Sequence, residues 1–336
     1  MRILQLLRSV DRTCTALACS AVLILGSCAS SPPEPDPQKM LELYREQALG
    51  YYEAGALEQA EDQVRKGLDI DPDDDLLKLM LGWCRQRRGT RDDLLVAERV
   101  FRDLAPREDY RALLGLGECL ERKGVLYTES AEKILSGKLE TDSPDPVKRA
   151  DELRGDALEF WTEALTHYRA VLESKPTESQ AMAGMHRTFA LMGRTEDSLE
   201  WAEKLLTQVE AEVQFWQTQL KRTDVRAAEE ARLRSRMNNT RELTVGTHLS
   251  AASLLVKLGR KTEAASHLDR VVLLDPSNAA AYSRRGQILF ELGRFEEASA
   301  NLDDFLRLTE LPFDHQDVQR AFQTKTECEK RLVTAR

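Results

Sequence analysis

Aromatic residues are scarce in this chain, at 6% of 336 positions. An all-β sandwich favours Tyr, Phe and Trp in its strands, so the scarcity weighs against one. Only 17 Gly and 11 Pro are present, which excludes collagen-like, mucin-like and low-complexity classes. Positive charge is not in excess either. The 48 basic residues are outnumbered by 57 acidic ones, a net −9, whereas a general nucleic-acid binder needs the opposite sign. None of the five histidines stands in the H-E-x-x-H spacing, and neither a glycine-rich phosphate loop nor a G-x-S-x-G turn occurs. The run Asp69 to Asp75 is acidic but has neither the central Gly nor the distal Glu of a calcium loop. Helix capping beside Pro72 explains those acids better. The sequence thus offers no catalytic residue, no cofactor motif and no metal site. What it holds in abundance is Leu, Ala, Glu and Arg, which are good helix formers.

Arg2, Arg8 and Arg12 precede an apolar run from about Ala16 to Leu25. The run is too short to span a bilayer as a helix, so it reads as an export signal. It ends in Leu25-Gly26-Ser27-Cys28, which resembles the lipobox of bacterial lipoproteins. That resemblance implies cleavage after residue 27, a diacylglyceryl thioether on Cys28 and an acylated amine. Several acyl chains make a stable membrane anchor. Ala29, rather than Asp, follows the Cys, which by the enterobacterial pattern implies the outer membrane. Loss of residues 1–27 removes three Arg and one Asp, leaving 45 basic and 56 acidic residues and a net −11. Residues 28–40 then form a lipidated linker. Four prolines between Ser30 and Gln38 predict an extended polyproline II spacer about 30 Å long.

A fixed spacing recurs through the rest. Gly55, Ala60, Val64, Gly67 and Pro72 set it; Gly259, Ala264, Leu268, Val271 and Pro276 repeat it. Gly293, Ala298, Leu302 and Phe305 repeat it again, and Ala164, Tyr168, Val171 and Pro176 give its second half. This pattern resembles the tetratricopeptide repeat, two antiparallel helices in about 34 residues. In that frame Gly55, Gly89, Gly124, Gly193, Gly259 and Gly293 end the first helix of each unit in the left-handed conformation. The small residue that follows lets the second helix pack closely on the first, and Pro stops it. Six units are expected: about 41–74, 75–108, 110–178, 179–244, 245–278 and 279–312. In the fourth, His186 stands where the family usually has Gly. Residues 313–336 should supply a capping helix, about His315–Ala335, with Asp314 as its cap. Val318, Ala321, Phe322, Cys328 and Leu332 form its apolar side. The resemblance implies an all-α, right-handed helical-hairpin solenoid over 41–312, carrying two inserted or extended hairpins.

Those insertions fall near 125–159 and 207–241. The first predicts a helix near Tyr127–Leu139, a loop at Glu140–Pro146 and a long helix to about Ser174. In the second, Leu199, Ala202, Leu206, Val209, Val213, Trp216 and Leu220 step by three or four and predict a helical seam, answered by Leu233 and Met237. Charge is uneven between the two. Residues 221–241 carry +4 and residues 125–159 carry −4. Arg226, Arg232, Arg234 and Arg236 therefore form a candidate basic patch for an acidic partner, an anionic envelope polymer or the acidic insertion itself. Cys84 and Cys119 occupy equivalent positions in adjacent units, about 8–10 Å apart, too far for a disulfide. Both are expected as buried free thiols.

In the family the first helices line a concave surface that binds peptides or partner helices. Carried onto this sequence, that face includes Tyr52, Leu79, Trp83, Arg87, Arg122, Arg187, Gln287 and Phe290. The Lys and Asn clamp that some cytosolic members use for a terminal carboxylate has no Asn at the matching positions. The resemblance implies a lipid-anchored scaffold, not an enzyme, that binds a protein or peptide segment of an envelope complex. Binding of peptidoglycan or polysaccharide through the basic hairpin is the alternative.

Overall fold

The computed structural model describes residues 36–107, 109–222 and 226–334. The signal, Cys28 and residues 28–35 of the linker lie outside these. Among the described residues there are thirteen α-helices and one short 3-10 turn, with no strand. None of these helices is long and apolar enough to cross a membrane. They pair as α1 (Pro37–Glu53) with α2 (Leu57–Ile70), α3 (Asp75–Arg88) with α4 (Arg91–Leu104), and α5 (Tyr110–Leu135) with α6 (Pro146–Ser174). Then follow α7 (Ser179–Leu191) with α8 (Thr195–Leu220), α9 (Ala227–Lys257) with α10 (Lys261–Leu274), and α11 (Ala279–Glu291) with α12 (Phe295–Leu308). The last helix, α13 (Gln316–Thr334), packs on α12 and α11.

Local chemistry sets the punctuation. Gly55, Gly89, Gly193, Gly259 and Gly293 lie in or beside the turn within a pair at φ of 70–78°, a region that only Gly occupies cheaply. Asp74 caps α3 by accepting from the Leu77 N–H at 2.9 Å, and Asn278 caps α11 through the Ala281 N–H at 3.1 Å. The acidic run at 69–75 is spent locally. Asp74 also accepts from Arg45 at 2.7 Å, Asp73 pairs with Lys78, and Asp75 pairs with Arg107.

The second helix of one pair (its B helix) is wedged between the first helices (A helices) of that pair and the next. The Phe101 ring of α4 lies between Gly82 of α3 and Gly115 of α5, where an added Cβ would come within 2.6 and 2.5 Å of it. Tyr168 of α6 repeats the device between Gly117 of α5 and Gly184 of α7, with a Cβ at Gly117 only 2.7 Å from the ring. Both aromatics are fully buried. Dense interiors transmit such a misfit directly, so these glycines serve close approach of the helices.

Four expectations need correction. Gly124 is not a turn residue: α5 runs unbroken through it to Leu135, and the left-handed glycine is Gly137. The helix expected at Tyr127–Leu139 is the second half of α5. Gly124 is small because the Trp161 indole packs over it and donates to Glu121 O at 3.1 Å. The spacer ends earlier than expected. Asp36 accepts from the Gln38 N–H at 3.1 Å and Pro37 takes the first helical position, where a missing N–H costs nothing. His315 replaces Asp314 as the acceptor at the start of α13, taking the Asp317 N–H at 3.2 Å. In the α8 seam Leu205 is fully buried and Leu206 only partly so.

Both insertions are extensions of helices already in the frame, α5 with α6 and α8 with α9. Their placement differs. The first lengthens the two helices of one pair; the second lengthens the last helix of one pair and the first of the next. Because helices alternate in direction, the two hairpins leave the stack at opposite edges. The basic hairpin therefore cannot fold onto the acidic one.

Two polar clusters tie neighbouring pairs. Glu61 is 2% exposed and pairs with Arg85 and Arg88, which also hold Asp93 at 3.1 and 3.3 Å. His186, at the position usually held by Gly, is buried, with Nδ1 2.9 Å from both polar oxygens of Ser198 and Nε2 3.0 Å from Ser250 Oγ. A His–Ser pair here replaces the family's small-on-small contact. Cys84, Cys119 and Cys328 are buried and free.

Gly184→Ala should destabilise the protein by roughly 1–3 kcal/mol in denaturant titration, with recovery when Tyr168 is also cut back to Leu. His248 and His267 supply a pH test. Their Nδ1 atoms lie 2.9 Å apart, so one ring donates and the other accepts. Burial, the His267 ring and Arg270 push His248 down to about 4, and burial lowers His267 as well. Imidazole in the unfolded chain titrates near 6.5. Stability from the pair is complete above that value and drains as pH falls toward 4. His248→Phe should reduce the loss of thermal midpoint across that window.

Candidate functional site

The A helices α3, α5, α7, α9 and α11 present one side of the stack, with α13 occupying the next position. Three cavities open along it. The first, about 490 Å³, is walled by α3, α5 and α7 and lined by Gln86, Glu118, Glu121, Arg122, Glu129 and Arg187. The second, about 350 Å³, lies between α9 and α11. The third, about 900 Å³, lies between α11 and α13. Arg284 and Gln287 line both of these.

Glu121 organises the first cavity. Its carboxylate takes a two-point pair from Arg187, Nε to Oε1 at 2.8 Å and Nη2 to Oε2 at 3.1 Å. It also accepts from the Tyr168 hydroxyl at 2.9 Å. Glu121 thus joins the A helix of one pair, its own B helix and the A helix of the next. Such charge-assisted, two-point pairing fixes orientation as well as distance. Burial pushes the Tyr168 hydroxyl well above its usual range, and the neighbouring Glu121 charge adds to this. The Arg187 guanidinium is held firmly charged: burial opposes the charge, and Glu121 more than offsets it.

One turn earlier on α5, Glu118 faces the same cavity. Its carboxylate accepts from Gln86 Nε2 at 2.6 Å. Burial pushes it up to about 7, against the pull of Arg187 and the Gln86 hydrogen bond, and the Glu121 charge adds to the rise. Of the three carboxylates that line the cavity, Glu121 is satisfied by an arginine, Glu129 lies 3.8 Å from Lys133, and Glu118 has only a neutral donor.

The structure divides the eight groove positions. Arg122 and Arg187 share the first cavity. Tyr52 and Arg87 form a separate pair at the N-terminal end, with the guanidinium 5.2 Å from the ring centroid and Arg87 Nη1 donating to Tyr52 O at 2.9 Å. Gln287 lines the two C-terminal cavities. Trp83 is half-buried and packs edge-on against Phe101 at 5.6 Å. Phe290 likewise packs edge-on against Phe295 at 5.6 Å. Leu79 must be corrected: at 3% exposure it belongs to the core, because its position on α3 points toward α4 and α5. The sequence reading missed Gln86 and Glu121. The available signal was Glu118 and Glu121 three apart, one helical turn, the first interrupting the otherwise apolar stretch Leu113 to Leu120 and the second ending it.

In the basic hairpin, Arg226, Arg232, Arg234 and Arg236 are all exposed. Arg234 pairs with Glu230 at 2.7 Å, and Arg236 lies 5.3 Å over the Trp216 ring.

Glu118→Gln tests the electrostatics. Folding raises the Glu118 value above the ordinary 4.5, so its charge costs stability as pH climbs from there through 7. The variant should gain on the order of 1 kcal/mol over the parent at pH 8, with the gain vanishing below about pH 4 in paired thermal melts.

Residues 249–309 match the family model for the tetratricopeptide repeat. No curated protein matches the chain. Among solved structures, PilF of Pseudomonas aeruginosa is similar with a TM-score of 0.51 at 16% identity, covering 86% of this chain and 99% of that one. TTC0263, a thermophilic tetratricopeptide protein of Thermus thermophilus, aligns with a TM-score of 0.45 at 14% identity, over 76% and 99% of the two chains. PilW, a type IV pilus biogenesis factor, aligns with a TM-score of 0.37 at 17% identity, over 71% and 94%. The described chain is thus a tetratricopeptide-type helical solenoid, with the repeat's own sequence signature matched at residues 249–309.

Proposed function

We propose that the protein is a lipid-anchored scaffold of a bacterial cell envelope that holds a protein or peptide segment along its A-helix face. The observation that carries this reading is the cavity of about 490 Å³ built from three successive A helices around Glu121. Its polar groups are fixed in place by Arg187 and Tyr168, and rigid polar groups around a concavity select a partner at low entropic cost. Glu118, which lacks a cationic partner of its own, suits a Lys or Arg of the bound segment. The Arg122 beside it suits an acidic one. Support for the anchor comes from the Leu25-Gly26-Ser27-Cys28 sequence and the charged, apolar run before it. The Pro-rich segment after Cys28 would hold the solenoid clear of the lipid, in the outer membrane facing the periplasm.

Two variants test the two halves of this reading. Arg122→Glu should reduce recovery of the crosslinked partner by at least about tenfold, the 1.4 kcal/mol expected of one lost charged contact, while leaving the thermal midpoint unchanged. Unchanged recovery would remove this cavity from the binding surface. Cys28→Ser should move the protein from the membrane pellet to the soluble fraction. Retention in the pellet would remove the lipid anchor.

A further inference from the structure

A fourth cavity, about 620 Å³, shares no lining residue with the three cavities on the A-helix face. It sits at the base of the basic hairpin, between the extended part of α8, the facing part of α9 and the turn that leads into α7. Its position follows from the topology: the hairpin leaves the stack at the edge where α6 turns into α7, and the space between them is left open.

The lining is chemically mixed in a specific way. Phe215 and Trp216 form an aromatic wall, edge to face at 4.7 Å, and Phe215 is 51% exposed. The Trp216 indole nitrogen is buried and has no acceptor among the described residues. A buried donor without a partner costs about 1–3 kcal/mol, a cost that a small shift of the indole toward an acceptor held in the cavity would relieve. Around the wall stand the side-chain amides of Gln180, Gln208 and Asn239. Gln208 donates weakly to Glu212 at 3.3 Å. The side-chain amides of Gln180 and Asn239 have no hydrogen-bond partner among the described residues.

From this we infer that the cavity is a binding site for a neutral or N-acetylated oligosaccharide. Sugar rings present apolar C–H faces that pack on aromatic walls, and hydroxyls that both donate and accept. Amides, which also do both, are their natural partners. The volume is within the range of small-ligand sites. Charge decides which sugars fit. Glu178 and Glu212 both line the cavity against the single Arg236, which is engaged over Trp216. An acidic saccharide would meet like charge. This site is independent of the A-helix groove and of the anionic-polymer reading of the hairpin.

The test is calorimetric titration of the full chain with three probes: the β-1,4-linked tetramer of N-acetylglucosamine, the β-1,4-linked tetramer of glucose, and tetragalacturonate. Saturable binding of at least one neutral tetramer is expected, with tetragalacturonate at least tenfold weaker. Phe215→Ala and Asn239→Ala, both at exposed positions that leave the fold intact, should each weaken binding at least tenfold. Arg122→Glu, in the A-helix groove, should leave it unchanged. No heat with either neutral tetramer would overturn the assignment, as would binding that survives both cavity variants or that prefers the acidic probe. Loss of protein-partner recovery in Phe215→Ala without any glycan binding would assign the cavity to protein docking instead.

Discussion

A bulky side chain from each second helix, seated where two first helices carry glycine, sets the geometry of the centre of this molecule. Phe101 between Gly82 and Gly115, and Tyr168 between Gly117 and Gly184, lock three helices at once. Deleting such a buried ring costs about 3–5 kcal/mol in well-packed interiors, a large part of the roughly 5–15 kcal/mol that a typical folded domain has to spare. Short turns between packed consecutive helices make them alternate in direction. That alternation carries the two long hairpins to opposite edges and lines up the first helices on one side.

The candidate groove is built from this framework and inherits its rigidity. Tyr168 packs its ring between the two glycines and offers its hydroxyl to Glu121. Glu121 in turn holds Arg187. Packing and polar recognition therefore meet at one residue. Disturbing the ring moves the carboxylate, and with it the guanidinium that lines the cavity. Burial pushes Glu118, one turn away, up to about 7, against the pull of Arg187 and the Gln86 hydrogen bond.

Periodicity made most of the architecture readable. Gly55, Gly193, Gly259 and Gly293 punctuate helices where their spacing placed them, because left-handed backbone has a strong residue signature. Gly124 misled for a physical reason: a glycine needed for close packing looks identical in sequence to one needed for a turn. Only Trp161, far along the chain, distinguishes the two, and nothing local announces that contact. Leu79 was assigned to the groove by frame alone, yet a shift of one helical position separates core from surface. The acidic pair Glu118 and Glu121 was visible as letters. Its role was not, since it depends on Tyr168 and Arg187, which arrive from two other helices. The hairpin-base cavity was hidden for the same reason, being assembled from α7, α8 and α9.

The most direct test of the stack is a distance between the two hairpin tips. Spin labels at positions 136 and 221, read by pulsed dipolar spectroscopy, should report a separation above about 50 Å, from helix rise across the stack and both projections. A distribution centred below about 30 Å would place both tips on one edge, and strict alternation of the paired helices would then be wrong.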